Sequence, residues 1–130
     1  ITHRNVDAAE LGQFSSAFEM HEAINRLHLR LFRTLLDLLE EREVLPRAVA
    51  VCCSDIATGT HSYDNMPWIV AGSGDGTLAQ GAYVDAGGVP HNRLLATLLT
   101  ATGHRNEDGS PITHFGDAEV EGGLVDAMLA

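Results

Sequence analysis

Lysine is absent from this chain of 130 residues. All eight basic residues are arginine, set against eighteen Asp and Glu, and the net charge is −10 with histidine neutral. A surplus of negative charge of this size excludes a nucleic-acid backbone or an anionic lipid surface as the natural partner. Aromatic residues are scarce, at 5 %, while glycine occurs thirteen times; that balance suits a loop-rich α/β protein. No apolar run reaches the ~18 residues that a membrane-spanning helix needs. The only two cysteines, Cys52 and Cys53, are adjacent. Neighbouring cysteines close too short a ring to bridge each other without strain, so they read as small apolar residues on a strand. The first residues, ITHRNVDAAELG, contain neither a methionine nor a leader pattern. The expectation is a processed product or a piece of a longer protein.

What is present is one long periodic segment, then two short apolar runs. After an irregular lead-in over 1–14, Met20, Ile24, Leu27, Leu31, Leu35 and Leu38 recur every three or four positions, widened by Phe32, Leu36 and Leu39. The spacing predicts an amphipathic helix over 15–43 with one broad buried face, capped by Ser15 or Ser16 and stopped by Pro46. The run RAVAVCC lacks polar alternation, which predicts a strand covered on both faces as in a parallel sheet. WIVAG (68–72) reads as a second strand and GSGDG (72–76) as a turn cluster, giving a strand–loop–strand unit over 47–76. GAYVDAGGVP reads as loop with a short extended piece near Tyr83. A second helix is expected over 91–103, with Asn92 as its cap and Gly103 as its stop. The tail, 104–130, is turn-rich with a short final helix.

The candidate site lies in the loop between the two apolar runs. Open α/β sheets bind ligands at the carboxyl ends of their strands, which is where Ser54 and Asp55 fall, followed by His61 and Asp64. Asp and His together are ligands for zinc, and carboxylates suit magnesium, calcium or manganese. The competing reading is that Asp and Asn in loops mostly make turns. Other residues carry less. His21 and His28 are ~10.5 Å apart along a helix, too far to share an ion. His91 reads as an aid to helix capping, and His104 and His114 as solvated. GSGDG lacks the lysine and the following helix of a phosphate loop, its aspartate sits in no twelve-residue calcium loop, and Trp68 reads as core. Glu40–Glu43 reads as a solvated helix end.

Several motifs in order carry a resemblance. They are THRN (Thr2–Asn5), Ser54–Asp55, GTHSYDNMP (Gly59–Pro67), IVAG (Ile69–Gly72), PHNRLLATLL (Pro90–Leu99) and FGD (Phe115–Asp117). Their order resembles the C-terminal third of proteins in the alkaline phosphatase and sulfatase superfamily, more closely an exported bacterial family of unknown function related to the sulfatase-like proteins. The resemblance implies an α/β fold that is part of a three-layer α/β/α sandwich, incomplete without an N-terminal portion or a partner chain that completes the sheet. It implies a divalent metal (Zn, Mn or Ca) held by Asp55, His61 and His3, with Ser54, Asp64 and Asn65 on the substrate side. It also implies a periplasmic or cell-surface setting. Two departures stand out: Ile56 replaces the second histidine of the superfamily's Asp-His pair, and Asn65 stands where related families carry histidine. The superfamily's nucleophile belongs to a region that precedes this stretch, so no residue here is expected to be catalytic and the chain alone is expected to be inactive. The expectation is therefore a non-catalytic, vestigial sulfatase-like scaffold or assembly component; the alternative is the C-terminal portion of a metal-dependent phosphate or sulfate ester hydrolase.

Overall fold

A computed structural model describes residues 12–54, 56–58 and 61–130. The lead-in expected over 1–14 therefore lies, up to residue 11, outside the described residues. The first element, α1 (Ala17–Glu41), is set by its N-terminal chemistry. The Ser16 hydroxyl accepts from the Glu19 amide, satisfying one of the unpaired donors of the first turn, and the Ser15 amide and hydroxyl both donate to the Glu19 carboxylate. The helix ends short of Pro46, which is not its terminator. Glu43 takes a left-handed conformation (φ 55°), and the amides of Val44 and Leu45 close onto the Leu39 carbonyl.

The broad buried face expected for this helix is not found: no residue of α1 is buried. Phe32, Leu36 and Leu39 are half-buried, but Leu27, Leu31, Leu35 and Leu38 are exposed. The reason is size. A helix of 25 residues is ~37 Å long, and the sheet beside it has two strands, spanning roughly 10 Å.

Those strands are β1 (Ala50–Cys53) and β2 (Trp68–Ala71). They pair antiparallel, Ala50 opposite Ala71 and Cys53 opposite Trp68, which corrects the parallel arrangement predicted from the apolar run. A parallel return requires a crossover, usually a helix, and the described residues between β1 and β2 form only turns and coil. With one edge partner and thin cover, the cysteines are less enclosed than expected: both are free, Cys52 half-buried and Cys53 exposed.

The GSGDG cluster is a turn, as expected, and it is stitched to the chain before β1. The Gly74 amide donates to the Ala48 carbonyl, while the Asp75 amide and the Ser73 hydroxyl donate to that of Pro46. Gly72 (φ 89°) sits so close to the Ala48 and Leu45 carbonyls that no side chain fits.

The second helix, α2, runs His91–Ala101. Pro90 rather than Asn92 precedes it, and Asn92, one residue inside, donates instead to the Phe115 carbonyl at 2.6 Å. Gly103 in left-handed conformation follows its end. The segment around Tyr83 is coil and turn, in line with the loop expected there. The final turn is a 3-10 turn at Asp126–Met128. The tail is fastened to α2 by Arg93, which donates to the Leu124 carbonyl at 2.6 Å, and by Thr97, which accepts from the Val125 amide at 2.9 Å. It then pairs back on 77–79 through a Leu78–Leu129 bridge. The core is small in volume: Ala50, Leu78, Ala96, Thr97, Ala101 and Val125. The result, among the described residues, is a mixed α/β fold of two α-helices and a two-stranded antiparallel sheet. Among the described residues no helix is long and apolar enough to cross a membrane.

Candidate functional site

Ser54 leaves the end of β1, and its hydroxyl turns back on its own chain, donating to the Ile56 carbonyl at 2.8 Å. Such a short-range bond is the usual local use of a serine at a strand end. Two backbone bonds then fold the loop: the Ala57 amide to the Ser62 carbonyl at 2.8 Å, and the His61 amide to the Thr58 carbonyl at 2.9 Å. This tight reversal holds His61 at φ 63°. A left-handed conformation is costly for a residue with a Cβ and is tolerated where the surrounding bonds fix it.

Asp64 follows in a reciprocal turn. The Ser62 hydroxyl donates to its carboxylate at 3.1 Å and accepts from its amide at 3.1 Å. Asn65 is also left-handed, at φ 56°, which asparagine accepts more readily than most residues. Together these bends carry the chain into Pro67 and β2.

Of the candidate residues, Ser54, His61, Asp64 and Asn65 share this loop, all of them exposed. Asp55 and His3, the other two metal ligands implied by the resemblance, lie outside the described residues. Among the described residues no three His, Cys, Asp or Glu side chains stand close enough to share an ion.

The phosphate-loop alternative for GSGDG has little room: two of its amides and its serine hydroxyl are engaged by Pro46 and Ala48, and the Gly76 amide by Ser73. The motifs PHNRLL and FGD, distant in sequence, are joined by the Asn92–Phe115 bond, and the Gly116 backbone lies against the Asn92 amide.

A concavity opens at the C-terminal end of this loop. A groove of about 810 Å³ runs between residues 63–70, the coil 78–91 and the tail at Val125 and Met128. Asp64 and Asn65 stand on its wall with Tyr63, Trp68, Tyr83 and Asp85. Sequence reading assigned Trp68 to the core and gave Tyr63, Tyr83 and Asp85 no role. The one available signal was that both tyrosines of an aromatic-poor chain sit in turn-rich, polar surroundings.

No family model, curated protein or solved structure matches the chain.

Proposed function

We propose that this chain serves as a non-catalytic, sulfatase-like scaffold: one part of a three-layer α/β/α sandwich in an exported protein, whose remaining strands come from an N-terminal portion or another chain. The observation that carries this reading is the outer face of α1. Leu27 and Leu31 are 53 % and 60 % exposed, with Leu35 and Leu38 beside them. A bare leucine stripe on a helix of this length needs cover. Completing the burial of each leucine contributes about 1 kcal/mol. A two-stranded sheet is marginal by itself, so added strands would both widen the sheet and cover the helix. Ile56, at the position where a catalytic relative would hold a ligand, supports a scaffold rather than an enzyme.

The test compares Leu27→Gln/Leu31→Gln with the unsubstituted protein in the natively purified source assembly. Removing covered leucines should cost roughly 2–5 kcal/mol for each one and release α1 to hydrogen exchange. If α1 exchanges equally fast in the isolated chain and in the native assembly, nothing covers the stripe and the reading fails.

One observation favours the second reading, a metal-dependent ester hydrolase of which this is the C-terminal portion. His61 takes a left-handed backbone conformation in the loop beyond a strand end, and residues in sparsely populated conformations gather at functional sites. Elemental analysis of the assembly decides: about one Zn, Mn or Ca per chain, lost in His61→Ala, supports a retained site with Asp55 and His3. Metal-free protein sinks the hydrolase reading.

A further inference from the structure

The groove beside the candidate loop has a chemistry of its own. Both tyrosines of the chain and its only tryptophan line it. Tyr83 is 95 % exposed, and Tyr63 is exposed as well. Two ionisable acids share the lining, Asp64 and Asp85. In each, one carboxylate oxygen is used by its own loop: Asp64 accepts from the Ser62 hydroxyl, and Asp85 from the Gly87 amide at 2.9 Å. The second oxygen of each has no hydrogen-bond partner among the described residues.

No arginine stands among the described lining residues, lysine is absent from the chain, and His91 is the one basic side chain there. The Gln80 amide, which would otherwise offer a donor, points to the carbonyls of Gly72, Leu78 and Ala79.

We propose that this groove binds a small organic cation, an ammonium or guanidinium group on a short apolar body. The faces of aromatic rings are negative and attract cations, most strongly at Trp and Tyr. Carboxylates in a concave wall add to that field, and a chain of net charge −10 reinforces it at long range. The volume of about 810 Å³ lies within the ~300–1,000 Å³ of small-molecule sites. An anionic ester would meet two carboxylates and no arginine, so the groove is not a place for phosphate or sulfate. The site draws on no residue of α1, and it stands whether or not the α1 face is covered as proposed above.

Trp68, as the only tryptophan, makes intrinsic fluorescence a reporter of the groove. Choline is titrated against 3,3-dimethyl-1-butanol, which has its shape without its charge, and against maltose as a neutral sugar. The expected result is a saturable change with choline, roughly tenfold tighter than with the alcohol, and weaker as salt is raised. Tyr83→Ala and Asp85→Asn should each weaken choline several-fold. Both variants should fold, since Tyr83 is almost wholly exposed and asparagine keeps the oxygen that accepts from Gly87; far-ultraviolet circular dichroism checks this. Equal affinity for the uncharged alcohol, saturation by maltose but not choline, or no saturable change at roughly 100 mM choline would each overturn the proposal.

Discussion

Thr97→Val should unfasten the C-terminal tail. Thr97 is the largest fully buried side chain. Its hydroxyl donates to the Arg93 carbonyl at 2.8 Å and accepts from the Val125 amide at 2.9 Å, twenty-eight residues away. Valine has nearly the same shape and nearly the same helix propensity, so packing in α2 is conserved. What is lost is the acceptor for Val125, itself buried at 6 % exposure. An orphaned buried amide costs about 1–3 kcal/mol, a large share of the ~5–15 kcal/mol that holds a domain together. The Arg93 carbonyl keeps its place in the helix, so the loss concentrates on the tail. Urea denaturation should show a lower midpoint, shifted by that free energy divided by the m-value, and the Val125 amide should lose its exchange protection before the rest of α2. Because Val125 and Met128 form part of the groove wall, choline affinity should fall as well. An unchanged midpoint together with unchanged protection at Val125 would refute the reasoning, since it would mean that water or an alternative acceptor replaces the hydroxyl without loss.

Two further outcomes follow from backbone and charge. Gly72→Ala should destabilise by about 3 kcal/mol or more, because a methyl there meets the Ala48 carbonyl at a positive φ. Gly76→Ala, at a similar φ but in open space, should cost only about 1 kcal/mol; equal thermal shifts in the two variants would remove the steric argument. Hydrogen bonds from the Ser15 hydroxyl and amide hold the Glu19 carboxyl below the usual glutamate range. Its pKa is lower folded than unfolded, so the stabilisation is complete above the unfolded value and is lost as pH falls through the folded one. The first turn of α1 should therefore hold in mildly acid solution and fray below it, as read by amide shifts at Ser15 and Glu19; in Glu19→Gln this acid step should vanish, and its persistence would assign the step elsewhere.

What was legible in the sequence is the local code. The Ser15–Ser16 pair and the leucine spacing place α1 within a residue or two, and Gly103 marks the end of α2, because each acts on neighbours one turn away. The strand pairing was not legible. AVCC and WIVA carry the same apolar signal in either direction, and direction was decided by a connection that forms turns instead of a helix. Asn92 shows the same limit at a finer scale. Its type and position fit a cap, yet a carbonyl twenty-three residues on takes its amide, and no local rule contains that competitor. The candidate loop was found by its Asp and His residues beyond a strand end, but its geometry was not: the hydroxyls of Ser54 and Ser62 make turn bonds to the Ile56 carbonyl and to Asp64, and the sequence does not show which loop residues are taken up by turns.

The two exposed apolar features of the molecule ask for different remedies. The stripe on α1 is aliphatic and long, so only extended apolar cover removes it from water; the proposed completion of the fold rests on that demand. The groove mixes ring faces with half-satisfied carboxylates, and apolar cover alone would bury those charges at a cost that a protein interior does not recover. A cation neutralises them and uses the rings as well. The two proposals rest on separate residues: completion on the leucines of α1, and cation binding on Tyr63, Trp68, Tyr83, Asp64 and Asp85. Leu31 and Asp85 accordingly belong to independent experiments, and a change at either should leave the other's readout where it was.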